Sequence, residues 1–236
     1  LRSQFDPTAA VAGDGDGQDT TLTLPAFRRN SRTLLASAFL VVFVLVAFEG
    51  LFYRGVLTYL PEILKDVDAV AALAPGDALA GISPGDFVFV GLLVVGIGGQ
   101  YAGGKLTERV PVERGLVVMF AVLALLTLAF APVAALGLAP LLVLCVLLGF
   151  FLFAIQPFYQ VAVALYTPPE TRGLSYGYIF LAEFGVGATS VALGGYLLGA
   201  YSLALFFGVL AGFAVVAAGL ALLLLVSDAR VEGQRL

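Results

Sequence analysis

From about Thr33 to Val226, long apolar stretches alternate with short polar connections. Six of the stretches approach the ~20 residues that an α-helix needs to cross the hydrocarbon core of a bilayer. They run roughly Thr33–Tyr59, Phe87–Tyr101 with a Gly-rich end, Gly115–Ala131, Pro140–Leu165, Leu174–Leu198 and Ala204–Val226. The pattern predicts an all-α integral membrane protein with six transmembrane helices. It divides the chain into an acidic, Gly-rich linker over 1–32, a transmembrane domain over 33–226 and a tail over 227–236.

The basic residues orient these spans. Arg2, Arg28, Arg29 and Arg32 precede the first, Lys105, Arg109 and Arg114 lie between the second and third, and Arg172 lies between the fourth and fifth. Arg230 and Arg235 follow the sixth, and the opposite connections hold only Lys65. Basic loops remain in the cytoplasm. A multi-pass protein of the plasma membrane with both termini cytoplasmic is therefore expected.

Polar side chains are shared unequally among the spans. The first, fourth and fifth carry most of them, whereas the third has Thr127 and the sixth is apolar throughout. A charged side chain at bilayer depth costs on the order of 3 kcal/mol on insertion scales, so helices bearing one should face protein or water. Counted in threes, the apolar helices close each triple, which is the pattern of a 3+3 repeat. Gly98-Gly99-Gln100-Tyr101 in the second span echoes Gly194-Gly195-Tyr196 in the fifth, and the matched spans cross in opposite directions. Inverted repeats of this kind place sites near the midplane, between repeats. The pairs Gly99/Gly103, Gly195/Gly199 and Gly208/Gly212 are each four apart and are expected to mark close helix packing.

Candidate chemistry lies on the polar spans. Glu49 is about sixteen residues into the first, roughly 24 Å along its axis and somewhat beyond the midplane. A carboxylate there suits proton coupling, or a cation or substrate amine. Tyr53 shares its face, while Arg54, five residues on, points elsewhere on a regular helix. Glu183 falls on a stripe with Tyr176, Gly187, Ser190 and Gly194. In the fourth span Gln156, Tyr159 and Gln160 flank Pro157, which should loosen the backbone beside a cavity. Phe150, Phe151, Phe153 and Phe158 could wall it.

Two loops carry motifs. Gly104-Lys105-Leu106-Thr107-Glu108-Arg109 stands between the second and third spans, and Pro168-Pro169-Glu170-Thr171-Arg172-Gly173, followed by Gly177, stands between the fourth and fifth. Together they resemble the major facilitator superfamily (MFS) of transporters, specifically the carboxy-terminal six-helix half. The first loop is similar to the family's G-x-L-x-D-R with Glu108 in place of Asp, and departs from it at Pro111, Val112 and Glu113. The resemblance implies a secondary carrier moving a small solute by alternating access, as symporter or antiporter, with a coupling ion as second cargo. It also implies a cytoplasmic gate of Gly104, Glu108, Arg109 and Arg172, and an amino-terminal six-helix half supplied upstream or by a second chain. A six-helix scaffold or subunit that dimerises without transporting anything is the other expectation kept open.

Composition narrows the field. With 61% hydrophobic and 12% charged residues and a mean hydropathy of +1.03, the chain lies far from soluble domains. There is no histidine and a single cysteine, Cys145, in an apolar span. Ser-His and Cys-His nucleophile pairs and His-ligated metal or haem are thereby excluded, so no enzyme, cofactor or metal site is expected. No basic patch supports nucleic-acid binding. Sixteen acidic side chains, and ten arginines against two lysines, suggest adaptation to high salt and a halophilic archaeal source. The chain starts at Leu1 with no apolar signal-like segment before Thr33, so a further upstream segment is expected.

Overall fold

A computed structural model describes residues 24–73, 83–167 and 171–233, the last six of them as backbone alone. The described residues hold helices and no strand: α1 Leu24–Leu35, α2 Phe39–Asp66, α3 Asp68–Ala71, α4 Pro84–Thr107, α5 Val112–Ala134 and α6 Leu138–Leu165. The chain continues as α7 Arg172–Phe180, a π-helical stretch Leu181–Val186, α8 Gly187–Ala200 and α9 Leu203–Gly233. Among the described residues, six rods are long and apolar enough to span a membrane: α2, α4, α5, α6, the continuous α7–π–α8 and α9.

The element ends follow local chemistry. At Ser37 the hydroxyl donates to the Leu34 carbonyl (2.6 Å) and accepts from Phe39 N–H (3.2 Å). One hydroxyl thus links the end of α1 to the first residue of α2. The first span therefore begins at Phe39 rather than Thr33, and part of the expected linker is the separate helix α1. The second span reaches further than its apolar run because a capping box starts it. Ser83 Oγ accepts from Asp86 N–H while the Asp86 carboxylate accepts from Ser83 N–H, and Pro84 occupies the first helical position. Lys65 ties this end to α2, at 2.9 Å from Glu62 and 3.3 Å from Asp86. The turn between α5 and α6 closes on Gly137 at φ 109°, a conformation that disfavours any side chain.

Packing follows the expected triples. The second span lies along the fourth (α4 on α6), and the fifth lies along the first (α7–π–α8 on α2). The third span packs on the fourth (α5 on α6) as the sixth packs on the first (α9 on α2), while α5 and α9 pack on each other. Exchanging the two triples maps this set of principal contacts onto itself. The core is aromatic along the α5–α9 seam, where Phe130 and Phe207 stack with ring centroids 4.2 Å apart.

Glycine permits close backbone approach at two matching seams. Gly99 and Gly103 of α4 lie against the carbonyl oxygens of Phe150 and Ala154 of α6, leaving no room for a Cβ. At the matching seam, Gly50 of α2 meets the Glu183 backbone and Gly187 meets Gly50. Gly199, Gly208 and Gly212, expected at packing faces, have open space where a Cβ would stand, and Gly195 touches only the Tyr59 ring and hydroxyl. Gly194, one residue earlier, is the one pressed against the Tyr59 ring.

Candidate functional site

The fifth span is where the regular pattern breaks. Its buried positions run Ser175, Ile179, Ala182 and then Gly187, Ser190, Gly194, Leu197. Steps of three and four fit an α-helix, but the step of five from Ala182 to Gly187 needs one wide turn, which the π-helical stretch supplies. Tyr176, expected on the Glu183 stripe, is accordingly exposed and off the buried face. Glu183 sits in that wide turn, against Gly50.

Glu49 occupies the neighbouring position on α2. It is 1% exposed, and neither carboxyl oxygen has a hydrogen-bond partner among the described residues. Because α2 starts at Phe39, Glu49 lies about 15 Å along its axis. Glu183, Tyr53 and Tyr159 are all within electrostatic range of it. The hydroxyl of buried Tyr159 contacts the half-buried Glu183 carboxyl, and Tyr53 contacts Gln156. Gln160 is exposed beside Tyr159. Tyr53 also meets Phe153 edge to face at 5.9 Å.

Arg54 diverges from Glu49 as helical geometry requires. Its guanidinium carbon lies 4.8 Å from the centroid of the Phe184 ring, a cation–π contact, and its Nε is buried with no hydrogen-bond partner among the described residues. It remains in electrostatic range of Glu183 and Tyr53. Two carboxyls, two phenols, an amide and one guanidinium thus converge where α2, α6 and the π-helical stretch meet. Such a group can bind and release a proton or cation, and can hold a polar solute by hydrogen bonds.

The motif residues at the basic end behave differently. Glu108, Arg109 and Arg172 are exposed and make no ion pair among the described residues, and Gly104 has open space around it. Pro168, Pro169 and Glu170 lie outside the described residues, as do Arg2 and Arg235. One residue that the sequence marks only as a departure from the loop motif takes a structural part. Glu113, 7% exposed in the first turn of α5, accepts a 2.9 Å hydrogen bond from Tyr166 at the end of α6. Its place at a helix N-terminus is a sequence-visible signal; the partner, fifty-three residues away, is not.

A cavity of about 330 Å³ opens at the other end, beside Tyr59, Glu62, Asp66 and Leu203. It contains none of the converging residues around Glu49.

No curated protein and no solved structure matches the chain. The family model of the Major Facilitator Superfamily matches residues 42–235, a stretch that covers all six spans from near the start of α2 and both motif loops. With the six-span bundle and its paired triples, that match establishes that the chain belongs to the Major Facilitator Superfamily.

Proposed function

We propose that the chain forms the carboxy-terminal half of a secondary active transporter that carries a small solute across the plasma membrane by alternating access, coupled to protons through Glu49. The observation that supports this reading is the Glu49 carboxyl, buried within the first span with no hydrogen-bond partner among the described residues. Burying a charge without a partner is costly. A carboxyl so placed is suited to exchanging a proton when the bundle opens it to water. Glu183, steadied by Tyr159 and near Arg54, would hold the polar end of the solute, with Tyr53, Gln156 and Gln160 as further hydrogen-bonding groups.

Exposed Glu108, Arg109 and Arg172 suit a gate closed by ion pairs to the amino-terminal half, on the side that the basic loops make cytoplasmic. The acidic composition supports a salt-adapted source. In proteoliposomes of the full protein loaded with a pH-sensitive dye, a solute carried by it should drive proton movement. The Glu49→Gln variant should lose that movement while still exchanging labelled solute across the membrane. Proton movement unchanged in the variant would remove Glu49 from the coupling role.

A dimeric scaffold is the second reading, favoured by the bare apolar rib Val90, Val94, Ile97 and Tyr101 on α4, where Ile97 is 70% and Tyr101 72% exposed. Either an amino-terminal half or a second copy could cover it. Disulfide crosslinking between two copies of an Ile97→Cys variant, with no solute flux in any assay, would favour the scaffold.

A further inference from the structure

The short helix α1 carries two kinds of exposed surface that water alone does not suit. At 3.6 residues per turn, Leu24, Phe27, Ser31, Leu34 and Leu35 fall on one arc of about 100°. The deeper half of this stripe, Ser31 and Leu34, is buried, whereas Leu24 and Phe27 stand 72% and 41% exposed. Arg28, Arg29 and Arg32, all exposed, occupy the adjoining arc of about 100°. Residues 36–38 join α1 to the first span, and three residues reach at most about 10 Å. The helix is thus tethered beside the point where α2 begins. Exposed Lys105, Arg109, Arg114 and Arg172 lie at the same end of the bundle.

We infer that α1 is an interfacial helix that binds the anionic headgroup layer of the membrane. Leu24 and Phe27 enter the boundary between headgroups and acyl chains, and Arg28, Arg29 and Arg32 lie at the phosphate level beside them, their stems along the apolar surface. Two apolar side chains alone would bind weakly and would not distinguish one bilayer from another. The flanking arginines make the attachment selective for anionic lipid, at about fivefold per arginine near such a surface and on the order of a hundredfold for three.

The test uses the full protein with Cys145 and any further native cysteine replaced by alanine, and a nitroxide on Phe27→Cys; Leu24→Cys serves if the first variant fails to fold. It is reconstituted into vesicles of phosphatidylcholine alone or mixed equally with phosphatidylglycerol. Collision with oxygen reports burial in lipid, and collision with a water-soluble nickel complex reports exposure. We expect the label to be oxygen-accessible and nickel-protected in the anionic vesicles, and to shift toward nickel exposure in phosphatidylcholine and in the Arg28→Gln/Arg29→Gln/Arg32→Gln variant. A water-exposed label in anionic vesicles would overturn the inference. So would equal burial in both lipids and in the triple variant, or protection from both reagents, which would mean that α1 docks on protein.

Discussion

Gly50 of α2 and Glu183 of the fifth span meet backbone to backbone: a Cβ on Gly50 would stand 2.7 Å from the Glu183 carbonyl oxygen and 2.9 Å from its Cα. Neither atom is the end of a flexible side chain, so the helices must separate to admit a methyl group. Gly50→Ala should cost about 1–3 kcal/mol by overpacking, read as a lower melting temperature in detergent. Gly208→Ala, where a Cβ meets nothing within 4 Å, should be neutral or slightly stabilising.

The unsatisfied Glu49 carboxyl gives a second expectation. Glu49→Gln keeps the shape and removes the possibility of a buried charge, so its melting temperature at neutral pH should be no lower than that of the parent. A clear fall would show that the carboxylate is held by an ion pair supplied from outside this half.

The wide turn at Glu183 can be removed without disturbing the faces on either side. Deleting exposed Gly185 turns the five-residue step from Ala182 to Gly187 into a step of four, which a regular helix accommodates. Ser175, Ile179 and Ala182 would stay in line with Gly187 and Ser190. The deletion variant should insert and melt no lower than the parent, yet lose transport, because Glu183 and Phe184 would leave their positions against α2 and Arg54. Retained transport would show that the π-helical stretch is dispensable.

At the basic end, Tyr166→Phe removes the 2.9 Å bond to Glu113 and leaves a buried carboxyl one donor short. A hydrogen bond to a charged group contributes about 1.5–3 kcal/mol. The melting temperature should fall accordingly, and the fall should persist at high salt because the pair is shielded from solvent.

The opposite end should respond to salt in the other way. Ser83→Ala removes the cap of α4 at about 1 kcal/mol, at any ionic strength. Lys65→Gln, which removes exposed ion pairs to Glu62 and Asp86, should lower the melting temperature slightly at low salt and leave it unchanged in molar salt.

Much of the bundle could be read from hydrophobicity because lipid enforces one requirement along every span: long apolar runs with their backbone bonded internally. The carboxyls, phenols and amides of the candidate site were visible for the same reason, since polar groups within apolar spans stand out against leucine and valine. Three features were hidden. The start of α2 depends on one serine hydroxyl inside a stretch that is apolar on both sides. The wide turn at Glu183 is a one-residue slip in a segment too rich in small residues to display its phase. The glycine seams turn on which glycine faces a backbone. Gly50 has no glycine four residues away to advertise it, while Gly208 and Gly212 have the spacing and no neighbour.

The order in which the spans are made bears on how the bundle closes. Of these six spans the sixth is made after the other five, yet it packs along the first and third, with Phe207 stacked on Phe130. Until α9 arrives, the faces of α2 and α5 that it covers must wait in lipid or against an assembly factor, a late closure typical of long-range contacts. A chain cut before Leu203 would keep five insertable spans and leave the faces of α2 and α5 that α9 covers without their partner.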